Sequence, residues 1–222
     1  MMPASTNDNR DKKIKRNIRL VVVGVIVFST LTMAALINKL STPRILNKHE
    51  LRDYGVIVLD DPRPILPFEL QDHSAQPFGL EQLQGRWSVL FFGFTHCGDI
   101  CPATMAVLAK TYAELPEKEK QAFDVVLVSV DPARDTPAVM AQYVSGFNQD
   151  FVGVTGNAGD LINFASQLSV PYRPGLQGEE PQHSGNLVLV NPRGEIHGFI
   201  KPPFAHGSLR VVWRSLKNSF AG

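Results

Sequence analysis

Apolar positions along this chain fall into two regimes. From Leu20 to Ile37 no charged residue interrupts a run of 18 residues. At roughly 1.5 Å of rise per residue, such a run in helical form just reaches across a hydrocarbon layer of about 30 Å. Beyond Leu40 the apolar runs are short and alternate between two periods. Phe68-Glu69-Leu70 and Pro77-Phe78 flank the polar stretch Gln71 to Gln76, the pattern of two short edge strands around a turn. Trp87 to Gly93 is an almost continuous apolar run of strand length. Pro102 to Leu115 places Met105, Leu108, Ala109, Tyr112 and Leu115 at helical spacing. Asp124 to Ser129 predicts a strand, Pro137 to Phe147 a helix, Phe151 to Val154 a short strand, and Asp160 to Leu168 an amphipathic helix. A polar loop, Gly175 to His183, leads into strands Asn186 to Val190 and Glu195 to Ile200, joined by the turn Asn191-Pro192-Arg193-Gly194. A last helix covers about Ser208 to Phe220.

Strand, loop, helix, strand, helix, strand, helix, hairpin, helix is an α/β order with a parallel start and an antiparallel finish. It is a thioredoxin-like arrangement, here preceded by an N-terminal transmembrane helix. The chain divides accordingly into a basic tail (1–19), an anchor (20–39), a stalk (40–63) and a folded domain (64–222). The stalk is read from Pro43, Pro62 and the lack of periodicity between them.

Charge gives the anchor a direction. Arg10, Lys12, Lys13, Lys15, Arg16 and Arg19 stand directly ahead of it, which keeps the N-terminus in the cytoplasm and sends everything after Leu40 outside. A cleaved signal peptide is the competing reading, because Thr32-Met33-Ala34-Ala35 offers small residues; the run is longer than the roughly 7–15 residues of a signal h-region. A buried helix of a soluble domain is a third reading, which the six preceding cations disfavour. The first 39 residues carry +5, from seven Lys/Arg and two Asp, leaving −4 on the remainder of a chain whose net charge is +1. A mildly acidic domain argues against nucleic acid as a partner. Asp8 and Asp11 separate the tail from acid-poor organelle transit peptides, so the expected location is a bacterial cytoplasmic membrane with the domain in the periplasm.

Composition then narrows the chemistry. The two cysteines are too few for a disulfide-stapled scaffold or a four-thiolate zinc site. They stand four apart in Phe94-Thr95-His96-Cys97-Gly98-Asp99-Ile100-Cys101-Pro102, directly after a predicted strand. Such a pair closes a disulfide or holds a soft metal. Cys101, with Pro102 behind it, is expected at a helix N-terminus, where unpaired N–H groups and the dipole lower a thiol's pKa. Thioredoxin-type oxidoreductases put two residues between their cysteines; three widen the loop and leave room for an ion, which tilts toward metal without excluding redox chemistry.

Two thiolates want a third ligand. The candidates are His49, His73, His96, His183, His197 and His206. His183 stands out because it lies in the loop that enters the strand Asn186 to Val190, and in a thioredoxin-like fold that loop faces the thiols. Two soft thiolates and one imidazole suit Cu(I) and adapt to Cu(II); zinc is the main rival, and a turn-capping role for His183 is the structural alternative.

These residues carry a family resemblance. GRWSVLFFGFTHCGDICPATM around the thiols, SVDPARDTP, GVTGN and HSGNLVLVNPRG together resemble the Sco/SenC family of copper-binding, membrane-anchored assembly factors over most of residues 64–204. The resemblance implies that Cys97, Cys101 and His183 correspond to the family's copper ligands, and that Asp99 matches its acidic loop residue. It implies a copper chaperone, binding Cu(I) or Cu(II) and assisting assembly of the binuclear site in the copper-binding subunit of cytochrome c oxidase. The alternative it leaves open is a thiol-disulfide oxidoreductase that reduces that subunit's cysteines, with Cys97 and Cys101 as the catalytic pair. The family loop has proline where this chain has Gly98, which adds backbone freedom.

Other positions are weighed on chemistry alone. Asp131, Arg134 and Asp135 offer a partner-docking rim, although Asp135 or Thr136 as the cap of a helix starting at Pro137 explains part of the cluster. His96 neighbours Cys97; His206 and the turn Lys201-Pro202-Pro203-Phe204 are candidates for a partner surface. A peroxidase of peroxiredoxin type needs a Thr and Arg around its thiol, and these do not map onto the loop.

Overall fold

The structure, a computed structural model, describes residues 6–41, 45–175 and 179–219. The first helix, α1 (Thr6–Ser41), runs for 36 residues. Within it Lys12–Leu40 is long and apolar enough to cross a membrane, and that stretch is not buried in the protein.

Residues from Ile45 onward form a separate compact unit. This corrects the expected stalk over 40–63. Helix α2 (Lys48–Asp53) is set by a capping box, in which Asn47 accepts from the Glu50 N–H at 3.0 Å and Glu50 accepts from the Asn47 N–H at 3.0 Å. Strand β1 (Val56–Pro64) follows and pairs antiparallel with a strand from the end of the chain. Leu46, Leu51 and Val56 are buried anchors for this segment. Residues 42–44 of the expected stalk lie outside the described residues. The misreading has a cause: β1 is an outer strand, and Asp60, Asp61, Pro62, Arg63 and Pro64 give it the composition of a linker.

The remaining elements follow in chain order: β2 (Leu70–Asp72), β3 (Pro77–Phe78), β4 (Trp87–Gly93), α3 (Ile100–Ala113), α4 (Glu117–Lys120), β5 (Phe123–Ser129), α5 (Pro137–Ser145), β6 (Val152–Thr155), α6 (Ala158–Gln167), β7 (Tyr172–Arg173), β8 (Gln182–His183), β9 (Leu187–Val190), β10 (Glu195–Ile200) and α7 (His206–Ser219). Eight strands form one sheet in the order β1-β10-β9-β4-β5-β6-β2-β3. Strands β4, β5 and β6 run parallel; β9, β10 and β1 continue the sheet antiparallel on one side, β2 and β3 on the other. The α/β thioredoxin-like arrangement expected from element order is therefore present.

All seven residues of β4 are buried. Successive strand side chains point to opposite faces, so the sheet centre is covered on both sides. Trp213 of α7 stacks on Phe123 at 5.1 Å between ring centres and 12° between planes, and α7 also packs on α3. The thiol loop leaves the C-terminal end of β4, where open α/β sheets collect their ligand-bearing loops.

Candidate functional site

Helix α3 begins at Ile100, earlier than the spacing suggests, and Cys101 is its second residue. Its position at the helix start is as expected; its ionisation is not. The Cys101 side chain points inward and is 0 % exposed. Burial pushes its thiol up to about 12, against the pull of one backbone bond at Phe94, and the neighbouring Cys97 and Asp135 add to the rise. Cys97, one turn earlier, is half-buried and takes the benefit assigned to Cys101. Burial alone would raise it, but the backbone N–H groups of Asp99, Cys101 and Ile100 converge on its sulfur and lower it. The Cys101 N–H to Cys97 Sγ distance is 3.5 Å. Both cysteines are free thiols.

Close packing sets the inner sulfur's place. A Cβ built on Gly93 would stand 3.2 Å from the Cys101 Sγ and 3.1 Å from the Phe91 ring, so only glycine ends β4 without moving either. Gly98 is different: nothing lies within 4 Å of where its Cβ would be, and its φ is not left-handed. Asp99 precedes the helix without a side-chain cap bond.

His183 sits in β8, which among the described residues pairs only with β7 in a two-stranded sheet separate from the main one. The polar loop expected from Gly175 to His183 thus ends in a strand; its residues 176–178 lie outside the described residues. The His183 ring rests edge-on to Phe91 and Phe94, with ring centres 6.4 Å and 6.0 Å away. Its Nδ1 lies 3.1 Å from the Ser184 carbonyl, which can only accept, so Nδ1 carries the proton. Burial lowers the ring's pKa, opposed by that carbonyl, and leaves it neutral with a lone pair on Nε2. Among the described residues no three His, Cys, Asp or Glu side chains stand together at metal-holding distance. The two thiols are together; His183 stops short of them, on the aromatic ledge.

The other histidines serve elsewhere. His49 is exposed on α2, and His73 Nδ1 accepts the Gly153 N–H at 3.0 Å. His197 stands edge-on to Trp87 at 4.9 Å, and His206 faces Glu114 at 3.7 Å. His96 is exposed, its Nδ1 3.0 Å from the Thr95 hydroxyl.

Sequence reasoning missed the part played by the loop after β5. Thr136 is the cap of α5, accepting the Val139 N–H at 3.4 Å. Asp135 is not a cap. Its carboxylate is 0 % exposed and accepts from the Thr95 hydroxyl at 2.6 Å and from the Ser129 hydroxyl at 2.7 Å. Arg134 pairs with Asp131 and lies over the Phe94 ring at 5.9 Å. The only sequence signal was the density of charge in SVDPARDTP. Beside the thiol loop, Asp99, Ile100 and Thr104 face Pro203 and Phe204 across an open, mainly apolar cavity of about 460 Å³.

A thioredoxin-like sheet with an outer, activated thiol and an inner, silent one defines a dithiol protein whose soft sulfurs suit exchange chemistry or a soft metal. The chain belongs to the SCO1/SenC family, whose sequence pattern matches residues 60–212. It is 40 % identical over 168 residues to a putative copper-binding protein of Stutzerimonas stutzeri, covering 74 % of this chain and 82 % of that one. It is 34 % identical over 149 residues to the mitochondrial protein SCO2 of Saccharomyces cerevisiae, covering 65 % of this chain and about half (48 %) of that relative. Among solved structures, yeast Sco1 with copper bound superposes with a TM-score of 0.63 at 28 % identity, over 70 % of this chain and 90 % of that one.

Proposed function

We propose that this chain is a membrane-anchored copper carrier that binds one copper ion through Cys97, Cys101 and His183. We further propose that it delivers the ion to the binuclear site of the copper-binding subunit of cytochrome c oxidase. The observation that carries the reading is the sulfur pair itself, one thiol favoured as thiolate by three backbone N–H groups at the entry to α3 and the other held against Gly93. Family membership and the copper-bound relative support copper over zinc; the oxidase client rests on the family resemblance.

Ligation by His183 needs its Nε2 to leave the ledge of Phe91 and Phe94. The short hairpin that carries it pairs Tyr172 with His183 and Arg173 with Gln182 and is tied at its base by the Ser184 N–H to Pro171 carbonyl bond of 3.1 Å, so the closing movement this reading requires is a rotation of the His183 side chain within that hairpin. Copper displaces the Cys101 proton, which burial otherwise retains, and transfer proceeds by exchange of ligands one at a time, starting from the accessible Cys97. In the native setting α1 is the anchor, its basic end on the cytoplasmic side of a bacterial membrane and the domain in the periplasm.

Thiol-disulfide exchange is the second reading, favoured by the same asymmetry: Cys97 attacks and buried Cys101 resolves the mixed disulfide. His183→Ala separates the two. The carrier reading expects copper stoichiometry and the Cu(II)-thiolate absorption to collapse while dithiol reductase activity survives; undiminished copper binding would remove His183 from the ligand set.

A further inference from the structure

The carboxylate of Asp135 has no exposed surface and, among the described residues, no Lys or Arg bonded to it. A buried carboxylate is retained only where hydrogen-bond donors satisfy its oxygens. Three groups do so. The Thr95 hydroxyl donates to Oδ1 at 2.6 Å, the Thr95 N–H lies 3.2 Å from Oδ1, and the Ser129 hydroxyl donates to Oδ2 at 2.7 Å. The arrangement is extended by the Asp131 N–H, which donates to Ser129 Oγ at 3.0 Å.

The placement of these donors matters more than their number. Ser129 is the last residue of β5 and pairs in register with Gly93, the last residue of β4. Thr95 is two residues past that point and two before Cys97. Asp135 therefore ties the end of one central strand to the first turn of the thiol loop, at the point where ladder bonding stops after the Val130 N–H to Gly93 carbonyl bond of 2.9 Å. Besides this tie, the Phe94-Thr95 backbone is held by the bond between the Phe94 backbone and the Cys101 sulfur and by the Cys97 N–H to Phe94 carbonyl bond of 3.3 Å, so the Asp135 contacts fix the same short segment from which both thiols hang. The neighbouring Arg134 lies over Phe94, one of the rings supporting His183, so a single loop buttresses both halves of the site.

We infer that Asp135 is a positioning residue: its buried carboxylate fixes the thiol loop so that Cys97 and Cys101 present their sulfurs in a ligating arrangement, without itself touching the ion. The inference deepens the copper-carrier reading and rests on it. It concerns acceptor geometry rather than charge, because both oxygens are consumed by local donors.

The test uses the full chain, reduced, in detergent micelles, with thermal unfolding of the copper-free form as the check on folding. Asp135→Ala is expected to lower copper affinity about tenfold, the lower end of what loss of a ligand-orienting partner costs, and to shift the Cu(II)-thiolate absorption band. Asp135→Asn should restore most of both, since its amide oxygen can face Thr95 while its NH2 donates to the Ser129 oxygen. Wild-type affinity and spectrum in folded Asp135→Ala overturn the inference, and so does an Asn variant as impaired as Ala, which would assign the effect to charge. If Asp135→Ala does not fold, Thr95→Val replaces it: removal of one hydroxyl donor should weaken copper binding a few-fold, and no change overturns the inference. Failure of the wild-type chain to bind copper would sink the carrier reading instead. The loop is then read by the alkylation rate of Cys97 in the metal-free protein, which Asp135→Ala should slow and Asp135→Asn should restore; equal rates in all three refute the positioning role.

Discussion

The backbone N–H of Cys101 points at the sulfur of Cys97, 3.5 Å away. This one contact sets the two thiols apart. The residue that supplies the helix start has its own side chain turned into the core, and the residue ahead of the helix collects the field of its unpaired N–H groups.

Selective alkylation follows from that asymmetry. In the reduced chain at about pH 7.5, iodoacetamide should modify Cys97 and leave Cys101 intact, because the thiolate is the reactive form and Cys101 keeps its proton until pH nears 12. Peptide mass spectrometry reads the outcome, and equal labelling of both thiols would contradict the buried, protonated assignment.

Gly93→Ala tests the packing behind the inner sulfur. Its Cβ would press on Cys101 Sγ, Phe91 and Leu127 at 3.1–3.2 Å. Overpacking of this sort costs roughly 1–3 kcal/mol. Urea unfolding should show that loss, and the copper-loaded form should show altered thiolate absorption.

Acid should weaken the fold through its buried imidazoles. Burial lowers the pKa of His183 and of His197, with Lys48 and Arg193 adding to the shift at His197. As pH falls through about 6.5 the unfolded chain takes up protons that the folded chain still refuses. The contribution is therefore whole above that pH and declines below it, down to the folded-state values. The melting temperature should be lower at about pH 5 than at about pH 7.5. His183→Phe, which keeps an aromatic ring against Phe91 and Phe94, should lose less over the interval; identical pH profiles would remove His183 from the account.

Truncation distinguishes a stalk from a strand. A chain beginning at Ile45 should fold, while one beginning at Pro64 loses buried Leu46, Leu51 and Val56 together with the strand that covers β10. Each such side chain is worth roughly 1.5–3 kcal/mol. Circular dichroism and thermal unfolding of the two fragments decide; equal stability would return residues 45–63 to the status of a tether.

The central elements were legible because their patterns are local. Trp87 to Gly93 could be read to the residue, and α5, α6, β9 and β10 to within a few residues, since each carries its own periodicity and turn chemistry. The cysteine pair was legible for the same reason. What stayed hidden depends on partners distant in sequence. β1 is identified as a strand only by β10, over 130 residues later. The thiol pKa order depends on which way Cys101 faces, which spacing alone does not give. Asp135 reads as a cap until Thr95, 40 residues earlier, is brought against it.

The outer strand β1 has a consequence for life at close quarters. Its exposed margin carries Asp60 and Asp61 ahead of Pro62, and Arg63 between Pro62 and Pro64, and its register with β10 slips between Val58 and Arg63. A rim so interrupted offers no straight row of free amides for a neighbouring molecule to zip onto. Crowded copies are thereby discouraged from zipping together along this edge of the sheet.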